Sequence, residues 1–171
     1  MLEIGSGTGQ HAVYFAARLP HLQWQCSERL PAHLAGMAMW LDEAALPNTP
    51  APLVLDVTEP AWPIHAPVDA VFTANTLHYM PWDAVEALFR HLPQVLKPGS
   101  TLLAYGPFNV DGRFTSESNA RFDELLRTAV DPRFGLRDVA ALDTLARAQG
   151  LALLARQAMP ANNQLLVWRM R

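Results

Sequence analysis

Apolar residues alternate along this chain between short continuous runs and longer stretches with helical spacing. The short runs, together with the stretch LQWQCSE, predict five strands, at residues 1–4, 22–28, 52–57, 68–74 and 100–108. Apolar positions three and four apart predict helices between them, at residues 8–19, 31–46 and 82–96. Because strand and helix alternate, we expect an α/β fold, a mostly parallel sheet with helices on both faces.

The pattern changes after residue 108. A polar, turn-rich stretch leads into a predicted helix that ends at Asp131–Pro132. Asp138 is placed to cap another helix, which would end at Gly150. The apolar runs LALLARQAM and QLLVWRM flank PANN, where Asn162–Asn163 suits a tight reversal. We therefore expect an antiparallel hairpin at the C-terminal end of the sheet.

Composition is that of an ordinary globular chain, and it excludes some classes of partner. The 171 residues suffice for one domain, so residues 1–171 are assigned to a single unit. The net charge is −3 and no stretch concentrates Lys or Arg, which argues against nucleic acid as a partner. No apolar run approaches the roughly 18 residues of a membrane span. The one cysteine, Cys26, fits a reducing compartment, so we expect a cytoplasmic protein. The absence of a basic stretch favours a small-molecule substrate.

The opening MLEIGSGTGQ carries the first candidate chemistry. Gly5, Gly7 and Gly9 follow a predicted buried strand and precede a helix, an arrangement that lets the backbone approach a ligand at the carboxyl edge of the sheet. A turn that needs positive φ explains one glycine but not three. The dinucleotide fingerprint G-x-G-x-x-G would place its third glycine at position 10, which is Gln10 here.

An acid stands two residues before the first glycine. Glu3 makes the pattern E-x-G-x-G-x-G, which resembles the first motif of class I S-adenosylmethionine-dependent methyltransferases. A buried acid would repel the pyrophosphate of a dinucleotide but attract the ammonium and sulfonium groups of S-adenosylmethionine. The charge therefore favours S-adenosylmethionine as cofactor over a nicotinamide dinucleotide.

Two further acids end the second and third predicted strands. Glu28 follows the glycine loop at about the distance expected of an acid that binds ribose hydroxyls, although a solvated loop acid is the alternative. The resemblance implies that Asp56, with its neighbour Val57, lies against the adenine. Asp56 could instead cap the following turn.

The fourth predicted strand ends in ANTLHYM. The resemblance places Asn75 beside the methyl donor, and the N-T-L-H form is similar to methyltransferases of small molecules rather than to those that methylate amino groups of bases. His78 has two interpretations that stay open here. It is either a general base at the end of a strand or a helix-start residue with a structural role. The remaining histidines lack the clustering of a metal site, so no metal is predicted.

One longer segment extends the resemblance from the general class to one particular family. GPFNVDGRFTSESNARFDELLR, together with ANTLHYM and MPANNQLLVW, closely resembles an uncharacterised methyltransferase-like domain family of bacteria and animals, over a match from Leu2 to nearly the last residue. The resemblance implies a Rossmann-like class I methyltransferase fold whose seven strands have the order 3-2-1-4-5-7-6. It also implies a donor site at Glu3, Gly5, Ser6, Gly7, Gly9, Glu28, Asp56 and Asn75.

The same segment is a candidate wall for the methyl acceptor, since it follows the fifth strand at the donor's edge of the sheet. Its directional side chains make substrate-binding candidates of Asn109, Arg113, Asn119 and, from the hairpin, Asn163. Arg113 could clamp a carboxylate or phosphate, and Tyr105 joins His78 as a catalytic candidate. The alternative is a surface helix capped by Ser116, with Arg113 paired to Glu117.

Relatives in this family carry a further helix before the first strand, and the start of that strand. We therefore expect the first helix and the start of the first strand to be missing, with an apolar patch left on the sheet. The function expected is methyl transfer from S-adenosylmethionine to a small-molecule acceptor. The alternative is a non-catalytic donor-binding or partner module, and a nicotinamide-dependent oxidoreductase is disfavoured by Gln10 and Glu3.

Overall fold

A computed structural model describes all 171 residues and contains nine strands. In chain order they are β1 (Leu2–Ile4), β2 (Gln25–Glu28), β3 (Leu53–Val54), β4 (Val68–Ala74), β5 (Leu96–Gly106), β6 (Phe108–Asn109), β7 (Arg137–Asp138), β8 (Leu151–Met159) and β9 (Asn163–Met170). Seven strands form one sheet in the order β3-β2-β1-β4-β5-β9-β8, and β6 pairs with β7. Neighbouring strands from β3 to β5 are parallel, whereas β9 is antiparallel to both β5 and β8. The predicted fold class and strand order are confirmed.

The chain forms five α-helices, and buried side chains join four of them to the main sheet. They are α1 (Gln10–Arg18), α2 (Pro31–Ala44), α3 (Trp82–Val95), α4 (Glu117–Leu125) and α5 (Val139–Ala148). One cluster of buried side chains joins α3 and α5 to the sheet through Val71, and a second joins α1 and α2 through Phe72. Adjacent strand residues point to opposite faces, so the two clusters lie on opposite sides of β4. None of the helices is long and apolar enough to span a membrane.

Side-chain caps and left-handed residues set the element ends in the C-terminal half. The Ser116 hydroxyl accepts a hydrogen bond from the Asn119 amide at 3.1 Å, and the Asp138 carboxylate accepts one from the Ala140 amide at 2.8 Å. Both N-caps follow the expected pattern. The predicted reversal is also present, because Ala161 and Asn162 have φ of 57° and 58° in the turn between β8 and β9.

The third strand is much shorter than the predicted range 52–57. Pro52 has no amide hydrogen to donate to a ladder, and Asp56 already begins a turn in which its side chain binds the Thr58 amide. Only Leu53–Val54 pairs with β2. This early ending releases Asp56 and Val57 from the sheet at its carboxyl edge.

The fifth strand also differs from the prediction at both ends. It begins at Leu96, which pairs with Val68, and an irregularity shifts the register before Thr101 pairs with Ala70. It ends at Gly106, because Pro107 has no amide hydrogen to continue the ladder. Phe108 belongs instead to the short strand β6, whose pairing with β7 brings residues on either side of α4 together. Nothing in the local apolar pattern predicts this pair.

Candidate active site

The loop between β1 and α1 is a left-handed glycine turn. Gly5, Gly7 and Gly9 have φ of 70°, 57° and 82°, a region that other residues occupy only with strain. The expectation that a positive-φ turn explains only one of the three glycines is therefore wrong, because the turn requires all three. At Gly5 the loop also passes close to the segment after β4, since a Cβ there would lie 2.5 Å from Cγ2 of Thr76. Glycine at this position therefore allows the ends of β1 and β4 to approach each other.

The acid at the end of β2 is bound to this loop. Oε2 of Glu28 accepts a hydrogen bond from the Gly7 amide at 3.2 Å, and Oε1 accepts one from the Arg29 amide at 2.9 Å. The carboxylate is thus held at the carboxyl edge of the sheet, next to the glycine turn.

Asp56 contributes a second carboxylate from the end of β3. Its Oδ1 accepts hydrogen bonds from the amide and the hydroxyl of Thr58 at 2.9 and 2.7 Å. Burial tends to raise the pKa of Asp56, but the Thr58 hydrogen bonds and the positive charge of Arg29 lower it overall. The residue therefore caps its turn, as the alternative interpretation expected, and it also faces the neighbouring cavity.

These groups surround a cavity of about 590 Å³ at the carboxyl ends of β1 to β4. Six of the predicted donor residues line it: Gly5, Gly7, Glu28, Asp56, Val57 and Asn75. Ligands of open parallel sheets bind at this edge, so the position agrees with a cofactor site. Four carboxylates but only two guanidinium groups line the cavity, which favours a ligand with positive charge.

Glu3 lies behind the glycine loop and does not line the cavity. Its carboxylate is fully buried, with Oε1 at 3.0 Å from Nδ1 of His11 and Oε2 accepting a hydrogen bond from Nε1 of Trp24 at 2.8 Å. The bond to Glu3 raises the pKa of His11. Both carboxylate oxygens therefore already have partners, and direct contact between Glu3 and a donor stays a prediction.

Ser6 and Gly9 connect the glycine loop to β2 and to α2, respectively. The Ser6 amide donates to the Ser27 carbonyl at 2.9 Å, and the Ser6 hydroxyl accepts from the Ser27 amide at 3.1 Å. Gly9 packs against α2, where a Cβ would lie 3.0 Å from Cγ of Met37. Neither residue lines the cavity, so their observed contacts hold the loop in place.

The two catalytic candidates also lie away from the cavity lining. His78 is 4% exposed and packs its ring against Tyr79 and Phe122 at 4.7 and 5.2 Å. Burial, together with the positive charge of Arg137, lowers the pKa of His78 to about 4. This packing agrees with the structural interpretation of His78. Tyr105 packs beside the buried cluster between the sheet and α1 and α2.

The predicted acceptor residues are spread over the region beyond β5, and none of them lines the cavity. Asn119 is buried and donates from Nδ2 to the Thr115 hydroxyl at 3.0 Å and to the Asn162 carbonyl at 3.3 Å. Asn163 donates to the Pro160 carbonyl within its own turn. Oδ1 of Asn109 is buried without a partner. Arg113 is exposed, and Glu117 pairs with Arg121 instead, at 2.6 Å.

The remaining wall of the cavity comes from residues that sequence reasoning missed. Tyr79 and Met80 follow β4, and Arg133 and Phe134 lie in the loop after α4. The rings of Tyr79 and Phe134 are 6.0 Å apart and nearly perpendicular. Tyr79 and Met80 could have been found by their place after a strand end. Phe134 had no local signal, because its loop reaches the cavity only through contacts distant in sequence.

Comparison with known proteins identifies a family and a fold. The family model described as "Protein of unknown function (DUF938)" matches residues 1–170, and the chain belongs to that family. An O-methyltransferase family protein from Burkholderia thailandensis superposes with a TM-score of 0.84 at 18% identity. The mitomycin 7-O-methyltransferase MmcR gives 0.85 at 23% identity, and the apo form of the S-adenosylmethionine-dependent methyltransferase SibL gives 0.82 at 23%.

Each of these superpositions covers 99% of the chain and 48–50% of the solved structure, so the chain spans about half the length of these neighbours. The likeness shows that the chain has the Rossmann-like methyltransferase fold.

Proposed function

We propose that this chain binds S-adenosylmethionine in the cavity and transfers its methyl group to a small-molecule acceptor. The observation that carries the proposal is the position of Glu28, whose carboxylate is anchored to the Gly7 amide at the edge where the strands end. A carboxylate in this place can accept hydrogen bonds from the two hydroxyls of a ribose. The methyltransferase fold of the chain supports the same assignment.

The cavity lining offers groups that could bind each part of the donor. The glycine turn and Asn75 would hold the methionine end, Glu28 the ribose, and Asp56 with Val57 the adenine. Oδ1 of Asp56 is occupied by Thr58, which leaves Oδ2 to accept from the adenine amino group. The excess of carboxylates at the lining would stabilise the ammonium and sulfonium charges.

The acceptor would enter beside Tyr79, Met80 and Phe134. Their aromatic and thioether surfaces suit an apolar or planar small molecule. The neighbour MmcR is by name a mitomycin 7-O-methyltransferase, and this supports a small-molecule acceptor.

Methyl transfer from a sulfonium is an in-line displacement, in which the enzyme chiefly aligns nucleophile, methyl carbon and sulfur. Because His78 and Tyr105 do not line the cavity, the proposal assigns catalysis to this alignment rather than to proton removal by either side chain. An acceptor that is already a nucleophile at neutral pH would need no base.

Isothermal titration of the chain with S-adenosylhomocysteine, and separately with NAD, tests the donor assignment. We expect saturable binding of S-adenosylhomocysteine and none of NAD at the same concentrations, because the pyrophosphate meets the carboxylates of the lining. Glu43→Ala, which removes an exposed acid from α2, is the control and should bind like the wild type. Preferential binding of NAD would overturn the proposal in favour of a dinucleotide enzyme.

A further inference from the structure

Arg137 is a buried arginine without a carboxylate partner. The residue is 8% exposed, and its guanidinium forms none of the ion pairs in the chain. A buried, unpaired cation is strongly unfavourable unless other groups replace its hydration. Here backbone carbonyls do so. Nε donates to the Leu77 carbonyl at 3.1 Å, and Nη2 donates to the carbonyls of Met80 and, at 3.3 Å, Arg133.

The three carbonyls belong to two segments that wall the cavity. Leu77 and Met80 flank the turn after β4, and Arg133 lies in the loop after α4. A further hydrogen bond joins the same segments, from the Gly135 amide to the His78 carbonyl at 3.0 Å. The Arg137 side chain therefore links two segments that lie more than 50 residues apart in sequence. One segment carries the ring of Tyr79 and the other carries the ring of Phe134.

The backbone of Arg137 is fixed independently of this side chain. Strand β7 pairs with β6 through Arg137 and Phe108, and the next residue, Asp138, caps α5 and accepts a hydrogen bond from the Gly112 amide at 2.7 Å. The guanidinium also lies over the ring of Trp82, 5.8 Å from its centre. The side chain thus extends from a rigid support towards the wall.

Arginine is the residue that this geometry requires. Its planar guanidinium presents several donors in fixed directions and can reach carbonyls of two segments at once, whereas a lysine ammonium is a single point on a flexible stem. An apolar side chain could fill the volume but could not hold the carbonyls.

We propose that Arg137 is a positioning residue that holds the turn after β4 and the loop after α4 together, so that Tyr79 and Phe134 form one preorganised wall of the active site. Both rings line the same cavity as Glu28 and the glycine turn, so the effect of Arg137 on donor binding rests on the function proposed above. Preorganised walls bind more tightly because less freedom is lost when the ligand enters.

The first test needs no ligand. Amide hydrogen exchange is compared between the wild type and Arg137→Ala at Tyr79 and Gly135, with Phe72 in β4 as the internal reference. We expect exchange at Tyr79 and Gly135 to accelerate together by about tenfold or more while Phe72 follows global stability. Methylguanidinium should restore protection at both amides, and methylammonium should not. Unchanged exchange, or acceleration at only one of the two segments, would overturn the proposal.

The second test measures the affinity for S-adenosylhomocysteine by titration of the same variants. We expect Arg137→Ala to weaken binding by about tenfold and methylguanidinium to recover it. Arg147→Ala, which removes an exposed guanidinium from the ion pair with Asp143 on α5, is the control and should bind like the wild type. Loosened segments with unchanged affinity would also overturn the proposal.

Two further outcomes separate this proposal from the donor assignment. If the wild type does not bind S-adenosylhomocysteine, the donor assignment fails. The amide exchange rates at Tyr79 and Gly135 then decide by themselves whether Arg137 holds the two segments together. If Arg137→Ala does not fold, Arg137→Lys takes its place, since it keeps the charge and most of the length. In Arg137→Lys, amide exchange should accelerate at Tyr79, at Gly135 or at both. Exchange at the wild-type rate at both amides would contradict the role of the guanidinium.

Discussion

The Gly7 amide donates a hydrogen bond to Oε2 of Glu28 at 3.2 Å, across 21 positions of the sequence. This contact joins the glycine turn after the first strand to the acid that ends the second. It keeps a carboxylate at the mouth of the cavity while using only part of its capacity to accept hydrogen bonds. The two residues thus form one unit of the candidate donor site.

The glycines of the turn should differ in how well they tolerate alanine. Gly5→Ala and Gly7→Ala both force a side chain into the left-handed region, which costs about 1–2 kcal/mol. A Cβ at Gly7 meets open space, whereas one at Gly5 lies 2.5 Å from Thr76. Gly5→Ala should therefore destabilise the protein substantially more than Gly7→Ala in urea unfolding, and Thr76→Ala should reduce the difference. Equal losses would contradict the close approach at Gly5.

The hydrogen bond from Trp24 to Glu3 can be isolated with a matched pair of variants. Trp24→Phe removes a donor from a fully buried carboxylate and should cost about 1–3 kcal/mol beyond the lost apolar area. Trp62→Phe is the control, because Nε1 of Trp62 is buried without a partner. Chemical denaturation of both variants gives the comparison. If Trp62→Phe is as destabilising as Trp24→Phe, the bond to Glu3 contributes nothing measurable.

His78 should make the protein sensitive to acid. Its folded pKa of about 4 lies below the ordinary value of 6.5, so the unfolded chain binds more protons between these values and stability falls as pH falls through this range. His78→Gln should remove roughly 3 kcal/mol of this loss between pH 6.5 and 4.

Stability curves against pH for the wild type and His78→Gln test this directly. The raised pKa of His11 acts in the opposite direction but is common to both proteins, so it cancels in the difference. His21→Gln removes an exposed histidine and should leave the curve as it is in the wild type. Parallel curves for the wild type and His78→Gln would show that His78 does not titrate with folding.

The thiol of Cys26 should be unreactive in the folded protein. It is fully buried, and burial, with a smaller effect of Glu3, raises the pKa of its thiol to about 12. Since the thiolate is the reactive form, labelling by a disulfide reagent should proceed only as fast as the chain unfolds. Rapid stoichiometric labelling under native conditions would contradict this environment.

Much of the candidate site follows from the sequence because parallel strands end at one edge. Gly5, Glu28, Asp56 and Asn75 each lie at the end of a predicted strand, and the alternation of strand and helix is enough to predict that these four meet. The resemblance to methyltransferases added the order of the strands, which the apolar pattern alone does not determine.

The sequence predicts which residues lie at the edge of the sheet better than it predicts the direction in which each side chain points. The first strand is buried on both faces, so its pattern does not say whether Glu3 points to the ligand edge or behind the loop. Its partner Trp24 lies just before the second strand, where nothing in the local sequence marks a hydrogen bond to a carboxylate.

The wall formed by Tyr79 and Phe134 depends on contacts far apart in sequence. Arg137 reaches carbonyls 57 and 60 positions earlier, and Gly135 binds the carbonyl of His78. Spacing within a segment carries no information about such pairs. The polar stretch after β5 is the predicted acceptor wall, and the cavity lining adds a loop beyond α4 that the sequence pattern does not predict.

The most direct measurement of the donor site is the thermal unfolding of the wild type and Glu28→Ala with and without S-adenosylhomocysteine, with Glu43→Ala as control. Ligand at about 100 times its Kd should add roughly 2.7 kcal/mol to the stability of the wild type and of Glu43→Ala. The shift in Tm should disappear at the same concentration in Glu28→Ala. Equal shifts in all three proteins would place the ligand away from Glu28, and no shift in the wild type would contradict the donor site itself.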